Sequence, residues 1–387
     1  MIKMDKGKIN QSIEQIFRKK VKKDPLLKNA YLLVHSDRSD IHLNLAEGET
    51  NGKPAHPNQP NYMASVGKLF TSTIIAMLAE QGKLSFDASI TKYLDTELTQ
   101  NLHIFKGSDY SDKIQVRHLL NQSSGLPDNF WPLLYQLLEN PDFSMTPREA
   151  ILWAKENSHP KFPPGEGCNY TDTNYHLLGL IAESVTGKPF YETLHSLIFD
   201  PLDMKHSYML NYSEPLENPS HPESGFYLTL RSRSTNSHLK EHNANRSFFR
   251  RQPKQQIRLN DYRGFAGLDY TGGGVTGPAE DMLKFMKALV NHQLVSENTL
   301  MQMKNDRVRL GMGPGVQYGY GIWQIVTIPF ILPKKFNSWG VLGATGAFMF
   351  YHSELNAYLI GTFNDSAYER KSVRFMMQIM NQLWKLE

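Results

Sequence analysis

Two side chains able to make and break an acyl bond, Ser65 and Lys68, stand one helical turn apart in Tyr62-Met-Ala-Ser-Val-Gly-Lys68. A serine hydroxyl attacks a carbonyl only once a base takes its proton, and a lysine amine shielded from water can be that base. At this spacing on a helix both side chains share one face. The pattern S-x-x-K also arises by chance, as in Ser89/Lys92, Ser158/Lys161 and Ser237/Lys240. Only the Ser65 copy heads a long apolar segment. From Leu69 to Ala79 apolar residues fall on nearly every face without a proline, and Gly82 follows as a stop. That pattern predicts a helix buried on most sides, with Ser65 at its start.

The elements that must position this pair come from a chain of 387 residues, long enough for two compact units or one domain with a large insertion. Hydrophobic residues make up 40% and charged residues 21%, as in an ordinary globular protein. A net charge of +4 does not call for a nucleic-acid partner, so none is expected. The lone cysteine, Cys168, excludes an intrachain disulfide. Without H-E-x-x-H or paired C-x-x-C, neither a metal nor another cofactor is expected. The first 24 residues are basic with a helical apolar face at Ile9, Ile13, Ile16 and Phe17, unlike a signal peptide. No run reaches membrane-spanning length. The expectation is a cytoplasmic protein acting on a small-molecule or peptide substrate; no oligomeric state follows from the residues.

In chain order, Ala30 to His35 and Ile41 to Leu45 read as two strands joined by a loop. The Ser65 helix follows. A mainly helical stretch then runs to about Val290, with a capping box at Thr146-Pro-Arg-Glu149 and a helix from Tyr175 to Thr186 ended by Gly187. Within it, 211–263 is polar. Its Arg231 to Arg258 portion carries eight cations against Glu241 and reads as a surface excursion. Strands return at Gly319 to Thr327, Ser338 to Leu342, Ala347 to His352 and Ala357 to Phe363. A capping box at Ser366-Ala-Tyr-Glu369 opens the last helix. The expected fold is α/β (α+β), an antiparallel sheet flanked by N- and C-terminal helices with a large all-helical insertion. The expected units are a discontinuous domain over 1–85 and 292–387 and a helical domain over 86–291. Active sites favour such a seam.

The order of these features resembles the serine β-lactamase-like proteins, which include class C β-lactamases, D-alanyl-D-alanine carboxypeptidases, penicillin-binding proteins, D-aminopeptidases and family VIII esterases. The Ser65 segment is similar to their first motif. Val116-Arg-His-Leu-Leu-Asn-Gln-Ser-Ser-Gly-Leu-Pro127 is similar to R-x-L-L-x-H-x-S-G-L, with Gln122 where histidine is usual. Tyr170-Thr-Asp172 resembles the second motif, Y-x-N, and Gly343-Ala-Thr-Gly346 the end of the third, K-T-G or H-x-G. Gly272 to Asp281 resembles a further family segment. The resemblance implies acyl-enzyme formation on an ester, amide or β-lactam, with Ser65 as nucleophile and Lys68 and Tyr170 as the base system. It implies an oxyanion hole from the backbone N–H groups of Ser65 and Ala344, with Gly343 and Asp172 beside the substrate. It also allows work outside the cytoplasm.

Two departures bear on the substrate. Asp172 replaces asparagine, so it accepts hydrogen bonds without donating and can pair with Lys68. Val341-Leu342 stand where the family has a cation and a hydroxyl, so the group that would bind a substrate carboxylate is missing. An ester or amide without that carboxylate fits better than a β-lactam. The alternative is a catalytically impaired, penicillin-binding-like ligand-binding or sensor protein.

Overall fold

The computed structural model describes residues 5–215, 223–229, 256–310 and 315–386. Its largest element is a nine-stranded sheet. In chain order the strands are β1 (Asn29–Ser36), β2 (Ile41–Thr50), β3 (Lys53–Pro54), β4 (Val308–Arg309), β5 (Val316–Tyr318), β6 (Trp323–Ile325), β7 (Ser338–Leu342), β8 (Phe348–His352) and β9 (Ala357–Thr362). Across the sheet they lie β4-β5-β6-β7-β8-β9-β1-β2-β3, and each neighbouring pair is antiparallel. The early hairpin and the late strands thus meet at β1–β9, where Tyr31 faces Thr362 and Ser36 faces Ala357. Leu32, Leu33 and Val34 are all fully buried. A run without polar alternation is what a strand covered on both faces requires.

Helix α1 (Lys6–Lys22) covers one face with Ile9, Ile13, Phe17 and Val21, and packs beside α6 (Glu369–Leu383) through Phe17 and Phe375. Its N-cap is Asp5, whose side chain accepts from the Lys8 N–H at 3.0 Å. Helix α2 (Gly67–Glu80) is buried from Gly67 to Ala76. Phe70 of α2 stacks on Phe285 of α5 (Ala279–Val290), with ring centroids 3.8 Å apart. Gly82 ends α2 at φ +70°, and the Lys83 N–H bonds the Leu78 carbonyl at 3.0 Å. That is the left-handed helix stop a glycine makes without strain. Two further helices approach α2, α3 (Asp172–Thr186) and α4 (Phe265–Gly273). No helix among the described residues is long and apolar enough to cross a membrane.

Three local expectations change. The stretch Gly319 to Thr327 is a turn followed by β6, because Gly321 takes φ +69° and breaks the strand. The last helix is preceded by a 3-10 turn capped by Asp365, not Ser366, with the Asp365 carboxylate accepting from the Ala367 N–H at 2.7 Å. The helix expected from Tyr175 begins at Asp172, because Thr171 caps it. The basic excursion from Arg231 to Lys254 lies outside the described residues. Its flanks pair as a hairpin, Tyr227–Thr229 with Gln256–Arg258.

Candidate active site

The two-residue strand Asn61–Tyr62 pairs with Val275–Gly277, and the chain then turns sharply into α2. Ala64 makes that turn at φ +49°, a conformation that a residue with a Cβ pays about 1 kcal/mol to adopt. The turn is held by the Met63 N–H on the Val275 carbonyl at 3.1 Å. Its effect is to leave Ser65 as the one half-exposed residue between Asn61 and Ala76. Ser65 therefore stands at the N-terminus of a buried helix and keeps part of its surface exposed.

Lys68, one turn on, is fully buried. Its Nζ donates to Ser65 Oγ at 3.2 Å, to the Gly272 carbonyl at 2.7 Å and to Asp172 Oδ1. Three acceptors use all three protons of an ammonium. The Tyr170 and Tyr175 rings stand over the same nitrogen, with centroids 5.2 and 5.3 Å away, so the cation is also flanked by aromatic faces.

Tyr170 lies just before the cap of α3, and the Ser65 hydroxyl is among the groups that act on its phenol. Burial, and then the charge of Asp172, push the phenol well above its ordinary pKa. Its ring packs edge-on to Tyr318 and tilted against Trp323, on β5 and β6. The structure thus brings Ser65, Lys68, Tyr170 and Asp172 to one point, although they come from parts of the chain about a hundred residues apart.

The third-motif segment closes the other side. A Cβ on Gly343 would lie 2.6 Å from the Met63 carbonyl and 3.1 Å from the Ala64 Cβ, so only glycine fits against the Ser65 turn. Among the described residues, neither the Ser65 nor the Ala344 N–H donates to another group of the protein. Two N–H groups without a partner in the protein, one at a helix N-terminus, are able to donate to an anion. Val341 is fully buried, facing Met349 across the β7–β8 pair, and Leu342 is half-buried. Neither supplies a cation.

Three contributors were not singled out from the sequence, Asp128, the Gly272 carbonyl and Asp269, and a fourth, Gln122, was seen there only as a departure from the family's histidine. Gln122, where the family has histidine, accepts from the Thr171 N–H at 3.1 Å and the Asn174 amide at 2.6 Å, and donates to the Thr171 carbonyl at 3.2 Å. It clamps the segment that carries Tyr170. Asp128 accepts from the Asp172 N–H at 3.1 Å, and burial followed by the Asp172 charge raises its pKa. The Gly272 carbonyl reaches Lys68 because side chains are excluded there. A Cβ on Gly272 would lie 2.5 Å from Asp172 Oδ1, and one on Gly273 would lie 2.8 Å from the Ala64 carbonyl carbon. Asp269 lies beside this glycine pair, and burial pushes its pKa up to about 8. The one signal in the chain was the triple glycine Gly272-Gly-Gly274, which marks a close backbone approach.

The β-lactamase family model matches residues 28–374. Penicillin-binding protein 4* of Bacillus subtilis is 24% identical over 86% of this chain and 67% of its own length. Esterase EstB of Burkholderia gladioli is 25% identical over 71% of this chain and 69% of its own length. Other relatives are longer: the chain spans 49% of an N-acetylmuramyl-L-alanine amidase of Bacillus subtilis. The crystal structure of D-amino acid amidase from Ochrobactrum anthropi SV3 complexed with D-phenylalanine superposes with a TM-score of 0.77. It covers 98% of this chain and 100% of its own at 20% identity, a likeness of fold.

Proposed function

Because the chain belongs to the β-lactamase family, we propose that it is a serine hydrolase acting through an acyl-enzyme on Ser65. The observation that carries the reading is the Lys68 Nζ at 3.2 Å from the Oγ of a partly exposed Ser65, with the Tyr170 ring centroid 5.2 Å from the same nitrogen. Ser65 Oγ attacks the substrate carbonyl carbon while its proton passes to the base system of Lys68 and Tyr170. The negative charge on the carbonyl oxygen falls to the N–H groups of Ser65 and Ala344. The proton then goes to the departing alkoxide or amine, and the bond to the leaving group breaks. Water repeats the sequence on the acyl-enzyme and releases the acid.

The substrate we assign is an ester or amide with no carboxylate beside the scissile bond. No cation stands at Val341-Leu342, and Lys68 is already engaged with Asp172. The names of the esterase and amidase relatives agree with that choice. The expected result is turnover of p-nitrophenyl esters or amino-acid amides at least ten times faster, in kcat/KM, than turnover of nitrocefin. A preference for nitrocefin would overturn the substrate assignment. One observation favours a second reading, a ligand-binding protein that does not turn over: the Asp172 carboxylate holds the very ammonium that must give up a proton. That reading predicts reversible binding with no hydrolysis by the wild type.

A further inference from the structure

The two most exposed large apolar side chains among the described residues are neighbours, Phe330 at 109% and Ile331 at 68% of full accessibility. They form the tip of the loop between β6 and β7. Ile328 and Leu332 exchange backbone hydrogen bonds of 3.0 and 2.9 Å below the tip, and Thr327 Oγ1 bonds Asn337 Oδ1 at 2.9 Å at its base. The solvent-exposed Pro329 and Pro333 flank it, and Phe330 itself holds φ +66°. The tip is a built projection, with two apolar side chains held outward at little further ordering cost.

Its collar is positive. Lys334, 75% exposed, pairs with Glu354 at 3.0 Å. The Glu354 backbone carbonyl also receives Arg38 at 2.6 Å. Lys335 is anchored by its backbone, its carbonyl accepting from Trp384 Nε1 at 2.8 Å and lying 2.9 Å from His352 Nε2. Lys334 thus pairs with the Glu354 carboxylate, Arg38 with its backbone carbonyl, and the Lys335 ammonium stands over the Phe336 ring, 5.2 Å from its centroid, so three cations and one acid lie at the foot of the tip. The tip is convex, so it fits a fluid surface rather than a shaped pocket. The tip precedes β7 and the Ser65-facing Gly343 follows it, so a five-residue strand of roughly 17 Å separates them. Seating the tip leaves the cleft open.

We propose that the Phe330-Ile331 tip docks the protein onto an anionic lipid surface, with the two side chains entering the interface and Lys334, Lys335 and Arg38 against the headgroups. Two side chains and a few cations give weak, reversible attachment.

The test is flotation of the full chain with vesicles of phosphatidylcholine alone and of phosphatidylcholine with phosphatidylglycerol. Binding to the anionic vesicles is expected to exceed binding to the neutral ones. Phe330→Asp with Ile331→Asp should lower it by at least about tenfold. Lys334→Gln and Lys335→Gln should each lower it about fivefold on anionic vesicles only. All substituted side chains are exposed or at the surface, and an unchanged melting temperature verifies that each variant is folded. Absence of wild-type binding, or equal binding of wild type and the double aspartate variant, overturns the proposal. So does a wild-type dimer that the double variant loses without any vesicle binding, which would assign the tip to a second copy of the chain.

Discussion

Asp172→Asn restores the amide that relatives carry in the second motif and removes one negative charge from the site. In the wild type that charge pairs with Lys68 and is the second cause, after burial, of the raised Tyr170 phenol. The effect on the phenol opposes the loss of a proton that Ser65 activation needs. A charge within hydrogen-bonding range of a buried group shifts its ionisation by about 1–3 pH units. Asparagine should therefore move the ascending limb of kcat/KM against pH down by roughly one to two units, because a phenol no longer facing a carboxylate ionises more readily. The substitution also weakens a buried ion pair. Breaking such a pair outright costs about 3–5 kcal/mol. Here the amide oxygen can still accept from Lys68, and Ser65 Oγ and the Gly272 carbonyl remain. The expected loss is nearer 2 kcal/mol, a fall in Tm of roughly 2–3 °C in a chain of this size. The assay is kcat/KM on a p-nitrophenyl ester from pH 7 to 11, where the rising limb lies below the phenol's pKa and the displacement reads as a rise of roughly ten- to a hundredfold at fixed pH, with calorimetric melting alongside. An ascending limb that stays in place, or moves to higher pH, would refute the reasoning that Asp172 restrains the base system.

Gly273→Ala places a Cβ 2.8 Å from the backbone of Ala64, so the Ser65 turn must shift. The expected cost is about 1–3 kcal/mol of stability and on the order of a hundredfold in kcat, read by melting and steady-state kinetics; wild-type kcat would show the turn tolerates the displacement. Asp269 keeps its proton in the folded state up to about pH 8, whereas the unfolded chain releases it near the ordinary value of 3.8. The folded state therefore binds the extra proton between those values, and stability falls as pH rises from about 4 to 8. Asp269→Asn removes that slope, up to on the order of 4 kcal/mol between pH 5 and 8. Its Tm should exceed the wild type's most at pH 8 and above, and parallel Tm–pH curves for the two proteins would count against a buried protonated Asp269.

The nucleophile's helix was legible because burial leaves a compositional trace. A run from Leu69 to Ala79 without polar alternation has one low-energy fate, and Gly82 and Gly187 punctuate their helices at φ +70° and +69° as left-handed stops do. The Thr146–Glu149 capping box was legible for the same reason, since both of its hydrogen bonds are local, the Glu149 N–H to Thr146 Oγ1 at 3.2 Å and the Thr146 N–H to Glu149 Oε2 at 2.8 Å. At the last helix a short turn intervened, and a cap one residue earlier won. What composition hides is contact between distant residues. The Gly272 carbonyl on Lys68, the Gln122 clamp on Thr171 and the Asp128 carboxylate on the Asp172 N–H join segments from about 45 to 200 positions apart. None has a periodicity of its own. Asp172 was visible as a departure from the motif, and the Lys68 pairing expected of it forms where α3 meets α2.

The central claim is that one hydroxyl of this chain is activated for attack on a carbonyl. Intact-mass spectrometry after incubation with a fluorophosphonate measures it most directly. The account predicts a single adduct on the wild type, mapped to the peptide that carries Ser65, and none on Ser65→Ala. An unlabelled wild type, or a Ser65→Ala variant labelled equally, would contradict it.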